Sequence, residues 1–178
     1  FIGKVAKDQL GDVFAHDLLS QGVQFNTQPL AMGASTGRCL ILITPDGQRT
    51  MNTFLGASIE LKADDVDEEL IASTRIVYLE GYLFDRDNAK KAFIRAAEYA
   101  HKAGHKVALT LSDPFCVDRH RSDFLRLVEH HVDILFANEE EIKSLYMQEN
   151  FLDAMNAVDQ HVEIAVLTRS EKGAVVVS

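Results

Sequence analysis

The sequence predicts an α/β fold: a mostly parallel sheet covered by helices on both faces, with a small β segment beside it. Three observations predict this. From Asp64 onward, short apolar runs alternate with segments of helical period, as βα units require. Several of these runs end in polar residues: Glu80-Gly81, Ser112-Asp113, Asn138 to Glu141 and Thr168-Arg169-Ser170. Polar strand ends of this kind build the ligand clefts of open α/β sheets, at the carboxyl edge. Residues 25–57, by contrast, carry no helical period and hold two β-rich runs around a turn.

Taken in order, Asp8 to Gln21 places Leu10, Val13, Phe14 and Leu18 at helical spacing, and Gly22 stands where a helix stops. Cys39 to Thr44 and Arg49 to Leu55 form a hairpin, with Pro45-Asp46-Gly47 supplying the turn. Asp64 to Ser73 reads as a helix opened by acidic residues, and Ile76 to Leu79 as a buried strand. Asp87 to Lys102 sets Ala89, Ala92, Phe93, Ala96, Ala97 and Ala100 on one face, and Gly104 ends it. Lys106 to Leu111 is the next strand, with a helix around Asp123 to His130 after it. A strand at Ile134 to Phe136, helices at Glu139 to Met147 and Asn150 to Val158, and strands at Glu163 to Leu167 and Ala174 to Val177 complete the series.

At 178 residues the chain suits one domain with a small appendage. Its 47% hydrophobic and 25% charged residues are ordinary for a globular protein. Eighteen basic against 27 acidic residues leave a net charge of −9, with no basic cluster, so nucleic-acid binding is not expected. Cys39 and Cys116 form no CxxC pair and fit a reducing, cytoplasmic compartment. No apolar run reaches the roughly 18 residues of a membrane span, so no membrane partner is expected. Both ends of the chain read as cuts through structure, and a fragment of a longer protein is expected.

The densest chemistry lies at Val132-Asp133-Ile134-Leu135-Phe136-Ala137-Asn138-Glu139-Glu140-Glu141. Two readings are open. Asn138 caps a helix whose positive end the glutamates favour, or an amide and a carboxylate at a strand end hold hydrated Mg²⁺ beside phosphates. The histidines lack partners at metal spacing and read as surface or satisfied residues. Cys116 reads as a small buried hydrophobe. No GxGxxG, GxxxxGK[ST] or G-x-S-x-G is present, which disfavours a dinucleotide-dependent dehydrogenase in particular.

In this order the motifs resemble those of the ribokinase-like (PfkB-type) carbohydrate kinases, and of their adenosine kinase branch above all. Phe1-Ile2-Gly3-Lys4-Val5-Ala6-Lys7-Asp8-Gln9-Leu10-Gly11 is similar to the family's F-x-G-x-[VI]-G-x-D-x-x-G, with Ala6 in place of a Gly. Gln21-Gly22-Val23 fits its "GV". Thr36-Gly37-Arg38-Cys39 and Asp46-Gly47-Gln48-Arg49 resemble the lid strands. Leu109 to Phe115 is similar to N-L-S-x-P-F, and Val132 to Glu141 to V-D-I-L-F-x-N-x-x-E. Leu167 to Ala174 is similar to T-x-G-x-x-G-A, with Ser170 replacing a Gly.

The resemblance implies a ribokinase-like three-layer α/β/α core from residues 1–24 and 58–178, incomplete at both ends, with a β lid at 25–57. It implies an ATP-dependent kinase acting on a hydroxyl of a nucleoside or sugar, with ATP and Mg²⁺ as cofactors. A ribokinase- or fructokinase-type sugar kinase and a non-catalytic ligand-binding relative are the alternatives. By the same resemblance, Asn138 and Glu141 order Mg²⁺ through water, and Asn138, Thr168 and Arg49 meet the nucleotide. Arg49 supports catalysis from the lid, while Cys39, Leu55 and Tyr82 line the acceptor pocket. The family's sugar-binding Gly-Gly and its G-A-G-D with the catalytic base are expected outside this chain, before Phe1 and beyond Ser178, so the chain alone should be inactive. The resemblance also allows a homodimer through the lid.

Overall fold

The computed structural model describes residues 1–178, which fall into two compact units, Phe1–Asp65 and Val66–Ser178. The first unit is organised by a polar node. Helix α1 (Gln9–Ser20) starts where the Asp8 carboxylate accepts from the Gly11 N–H at 2.8 Å. The same carboxylate accepts from the Thr36 hydroxyl at 2.6 Å and the Thr36 N–H at 2.9 Å, and the Thr36 hydroxyl accepts from the Ala6 N–H. These bonds hold Asp8 below the usual carboxylate range, with the Thr36 hydroxyl contributing most. Ala6 pairs in parallel with Leu30, and the rings of Phe1, Phe14 and Phe25 stand 5.7 to 6.0 Å apart. Through these contacts residues 1–24 share a unit with the hairpin, a division different from the sequence boundaries at 24/25 and 57/58.

The hairpin itself is β1 (Arg38–Ile43) antiparallel to β2 (Arg49–Phe54), in register from Arg38↔Phe54 to Ile43↔Arg49. Gly47, at φ 80°, closes its turn. The two-stranded ribbon is exposed along almost its whole length, Leu40, Leu42, Ile43 and Met51 included.

The second unit is a five-stranded sheet of order β3 (Ile76–Glu80), β4 (Lys106–Thr110), β5 (Ile134–Asn138), β6 (Ile164–Thr168) and β7 (Ala174–Val177). β3 to β6 are parallel and β7 is an antiparallel edge. Helices α3 (Asp87–Lys102), α4 (Pro114–His131) and the pair α5 (Glu139–Tyr146) and α6 (Phe151–Val158) connect them. The strands advance in one direction, so right-handed crossovers bring these helices to one face of the unit. On that face Val77, Leu79, Val107, Leu109, Leu135, Ala137, Ala165 and Leu167 are buried. The alanine stripe of α3 is buried as its spacing predicts, and Phe124 of α4 stacks on Phe84 with centroids 4.4 Å apart. On β3 the alternate residues Ile76 and Tyr78 are exposed. No helix is long and apolar enough to cross a membrane.

Two expected helices differ. The one read from Asp64 is a 3-10 turn at Ala63–Asp65 followed by the short α2 (Glu68–Ala72). The Asp67 carboxylate caps Glu69 and Leu70 and so fixes a later start. The helix read around Asp123 begins at Pro114 instead, because Asp113 caps it and proline suits the first helical position. It bends at His120, where φ and ψ are −124° and 26°.

Candidate functional site at the strand ends

Parallel pairing brings Asn138, the last residue of β5, opposite Thr168, the last residue of β6. Beyond Asn138 the chain turns directly into α5, and the capping reading of this motif holds there. Asn138 Oδ1 accepts from the Glu141 N–H at 2.9 Å, while the Asn138 N–H and Nδ2 donate to the two Glu141 carboxylate oxygens at 2.9 and 2.7 Å. This is a complete capping box, and it buries the Glu141 side chain to 5% exposure. Burial pushes the Glu141 carboxyl up despite the Asn138 N–H, and the charges of Asp113 and Glu80 push it further.

Asp113 and Glu80 come from the neighbouring strand ends. Glu80 closes β3 and accepts from the Ser112 hydroxyl. Ser112 adopts a left-handed φ of 69° just after β4, before Asp113 caps α4. Gly81 passes so close to β4 that a Cβ there would lie 2.6 Å from the carbonyl oxygens of Thr110 and Leu111. The glycine thereby lets Tyr82 follow at once, half-exposed on the 3-10 turn Gly81–Asp85. Burial raises the Tyr82 phenol, and Asp113, Glu80 and Glu141 raise it further, so this ring shares the field of all three carboxylates.

Of the predicted site residues, Asn138, Glu141, Thr168 and Tyr82 thus stand along the carboxyl edge of one sheet. Arg49, Cys39 and Leu55 belong to the first unit. Arg49 opens β2, exposed, and its guanidinium makes no hydrogen bond or ion pair. Cys39 faces its cross-strand partner Thr53, with Sγ 3.2 Å from the hydroxyl. Leu55 leads into Gly56, whose φ of 53° carries the backbone past Ser35 where a Cβ would lie 2.2 Å from its carbonyl oxygen.

Other expectations for reactive side chains resolve simply. Cys116 is buried and its thiol is pushed up to about 11 by desolvation, so it is an inert hydrophobe. His101 meets Asp133 at 3.0 Å, and His105 meets the Ala72 carbonyl at 3.0 Å. Sequence reasoning set Arg169 at a polar strand end but gave it no role. It donates to Glu139 at 2.9 Å and lies 4.1 Å over the Phe151 ring. No spacing rule relates these three residues along the chain: strand pairing sets Arg169 beside Glu139, and the placement of Phe151 after α5 adds the ring.

No three His, Cys, Asp or Glu side chains converge closely enough to bind a metal ion directly. The donor set fits a cation held through water: the Asn138 amide and Glu141 carboxylate lie at the strand ends near Glu80 and Asp113, all oxygen donors of the kind a hydrated divalent cation takes. The Thr168 hydroxyl, exposed and unpartnered, is free for a ligand at the same edge.

Comparison with known proteins follows this geometry. The family model described as pfkB family carbohydrate kinase matches residues 1–178. The crystal structure of adenosine kinase from Sinorhizobium meliloti is 48% identical, with a TM-score of 0.92 over 98% of this chain and 54% of that one. A probable sugar kinase protein from Rhizobium etli CFN 42 is 45% identical, with a TM-score of 0.93 over 99% of this chain and 54% of that one. Guanosine-inosine kinase of Escherichia coli K12 is 29% identical over 140 residues, 77% of this chain and 32% of its own length. The chain therefore spans about a third to a half of these relatives.

Proposed function

The chain belongs to the pfkB family of carbohydrate kinases, and we propose that it serves the transfer of a phosphoryl group from ATP to a hydroxyl of a nucleoside, adenosine first among them. The likeness over 98% of the chain to a solved adenosine kinase, at 48% identity, is the observation that carries this reading. Phosphoryl transfer asks the protein for positioning and charge stabilisation rather than covalent chemistry. The chain has residues suited to both tasks. The unpartnered Arg49 guanidinium, on an exposed hairpin, is free to meet the transferring phosphate when residues 25–57 close as a lid and exclude water. Asn138 and Glu141 would hold Mg²⁺ through water, and the ion when bound would neutralise phosphate charge. The paired Thr168 meets the nucleotide beside them. Tyr82, half-exposed, offers a ring on which a base can stack, and on the first unit Cys39 and Leu55 are the proposed acceptor contacts.

The exposed Leu40, Leu42, Ile43 and Met51 support a further part of this reading, a homodimer through the lid. The free cysteines suit the cytoplasm.

The test is a panel of adenosine, guanosine, inosine, ribose and fructose with ATP and Mg²⁺, using the intact protein. Adenosine is expected to show the highest kcat/KM. A preference for fructose or ribose would replace the nucleoside by a sugar. Binding without turnover across the panel would make the protein a ligand-binding relative.

A further inference from the structure

We infer that Arg169 is a positioning residue for the nucleotide end of this site, clamping the turn after β6 to the start of α5 and not itself holding phosphate. The inference rests on the kinase reading above. Thr168 and Asn138 are paired across β6 and β5, and each is followed immediately by a member of a second pair, Arg169 and Glu139. Arg169 Nε donates to Glu139 Oε2 at 2.9 Å, with both side chains only about a quarter exposed. The flat guanidinium lies 4.1 Å over the ring of Phe151, the first residue of α6. An arginine held at its edge by a carboxylate and on its face by a ring has little freedom left to follow a phosphate.

What the clamp holds is a tight and strained turn. Ser170 sits at φ 52°, the left-handed region that suits glycine. The turn is closed by backbone bonds from Lys172 N–H to the Arg169 carbonyl at 3.0 Å and from Gly173 N–H to the Ser170 carbonyl at 3.0 Å. The Arg169 N–H also donates to the Gly173 carbonyl at 2.8 Å, the last rung before β7. Arg169 thus ties this turn to the residue beside Asn138, so that the Thr168 hydroxyl and the Asn138–Glu141 box keep one spacing.

The experiment compares Arg169→Ala, Arg169→Lys, Glu139→Gln and the double variant Arg169→Ala/Glu139→Gln in the intact protein. It measures the KM for ATP, the KM for acceptor, kcat and amide exchange of residues 169–173. A clamp predicts that Arg169→Ala and Glu139→Gln each raise the KM for ATP about 5- to 20-fold, with acceptor KM unchanged. The double variant should be no worse than the worse single one, since both remove the same contact. Arg169→Lys, which keeps the charge but loses the fork and the stacking, should fall between wild type and alanine. Exchange in the turn should quicken in each variant, a readout that stands even if no acceptor is phosphorylated and the kinase reading itself fails. The inference is overturned if Glu139→Gln leaves the KM for ATP unchanged or lowers it while Arg169→Ala raises it, because Arg169 would then hold phosphate directly. It is equally overturned if thermal stability falls with neither KM nor turn exchange altered.

Discussion

Glu141 gives both oxygens of its carboxylate to Asn138, one to the backbone N–H at 2.9 Å and one to the side-chain amide at 2.7 Å. A capping carboxylate needs only the first bond. The second fixes the amide plane of Asn138 at the edge of the sheet, opposite Thr168. Cap and ligand shell are therefore compatible: the side chains that form the cap are the ones that, on the proposed reading, would meet hydrated Mg²⁺.

Glu141→Gln separates the two roles. The new amide nitrogen would face a donor of Asn138, so the change should cost about 1 kcal/mol of stability. A capping role alone would leave kcat near normal. The expected outcome is a fall in kcat of about 10-fold or more, partly restored by raising Mg²⁺. Kinetics against Mg²⁺ concentration, with thermal melts alongside, decide it, and an unchanged kcat at every concentration would leave only the cap.

Arg49→Ala removes a guanidinium with no partner to lose. Its stability should shift by no more than about 0.5 kcal/mol. kcat is expected to fall more than the acceptor KM rises, because the charge matters most as the phosphoryl group transfers. Steady-state kinetics in the acceptor check this. A change confined to acceptor KM would move Arg49 to the acceptor pocket.

Asp133 predicts a pH dependence at the opposite, amino-terminal edge of the sheet. Burial alone would raise its carboxyl, but the Val107 N–H at 2.7 Å, His101 at 3.0 Å and Lys106 at 3.4 Å outweigh burial and hold it below 3.8. A depressed carboxyl contributes stability that is present above its unfolded value, near pH 4, and is lost as pH falls through the folded one. Asp133→Asn should therefore lower stability by about 1 to 3 kcal/mol at pH 7. The gap to wild type should close as pH falls below about 4. Melting curves of both proteins between pH 3 and 8 provide the measurement, and a gap independent of pH would contradict the linkage.

Phe124 is fully buried and packs on Phe84. Phe124→Ala should cost about 3 to 5 kcal/mol through lost burial and the cavity left between α4 and the 3-10 turn after β3. Denaturant unfolding checks this. A loss under 1 kcal/mol would mean that the core of the second unit closes up around the gap.

The sequence by itself determined what rests on local pattern. Short apolar or β-rich runs marked the strands, the alanine stripe and Gly104 gave α3 its bounds, and the order of motifs led to the kinase family. Residue spacing sufficed because strands and amphipathic helices are set by side chains close along the chain. Where two local signals competed, the reading slipped: Asp67 rather than Asp64 starts α2, and the Asp113-Pro114 pair starts α4 well before its apolar stripe. Only the tertiary structure decided which strand ends face one another. Pairing of β5 with β6 set Asn138 against Thr168 and delivered Arg169 to Glu139, the placement of α6 set Phe151 against Arg169, and the close pass of Gly81 over β4 set Tyr82 among three carboxylates. The Arg169–Glu139 contact joins residues 30 positions apart, and no period along a chain encodes it; it follows from register between strands, which only the packed sheet supplies.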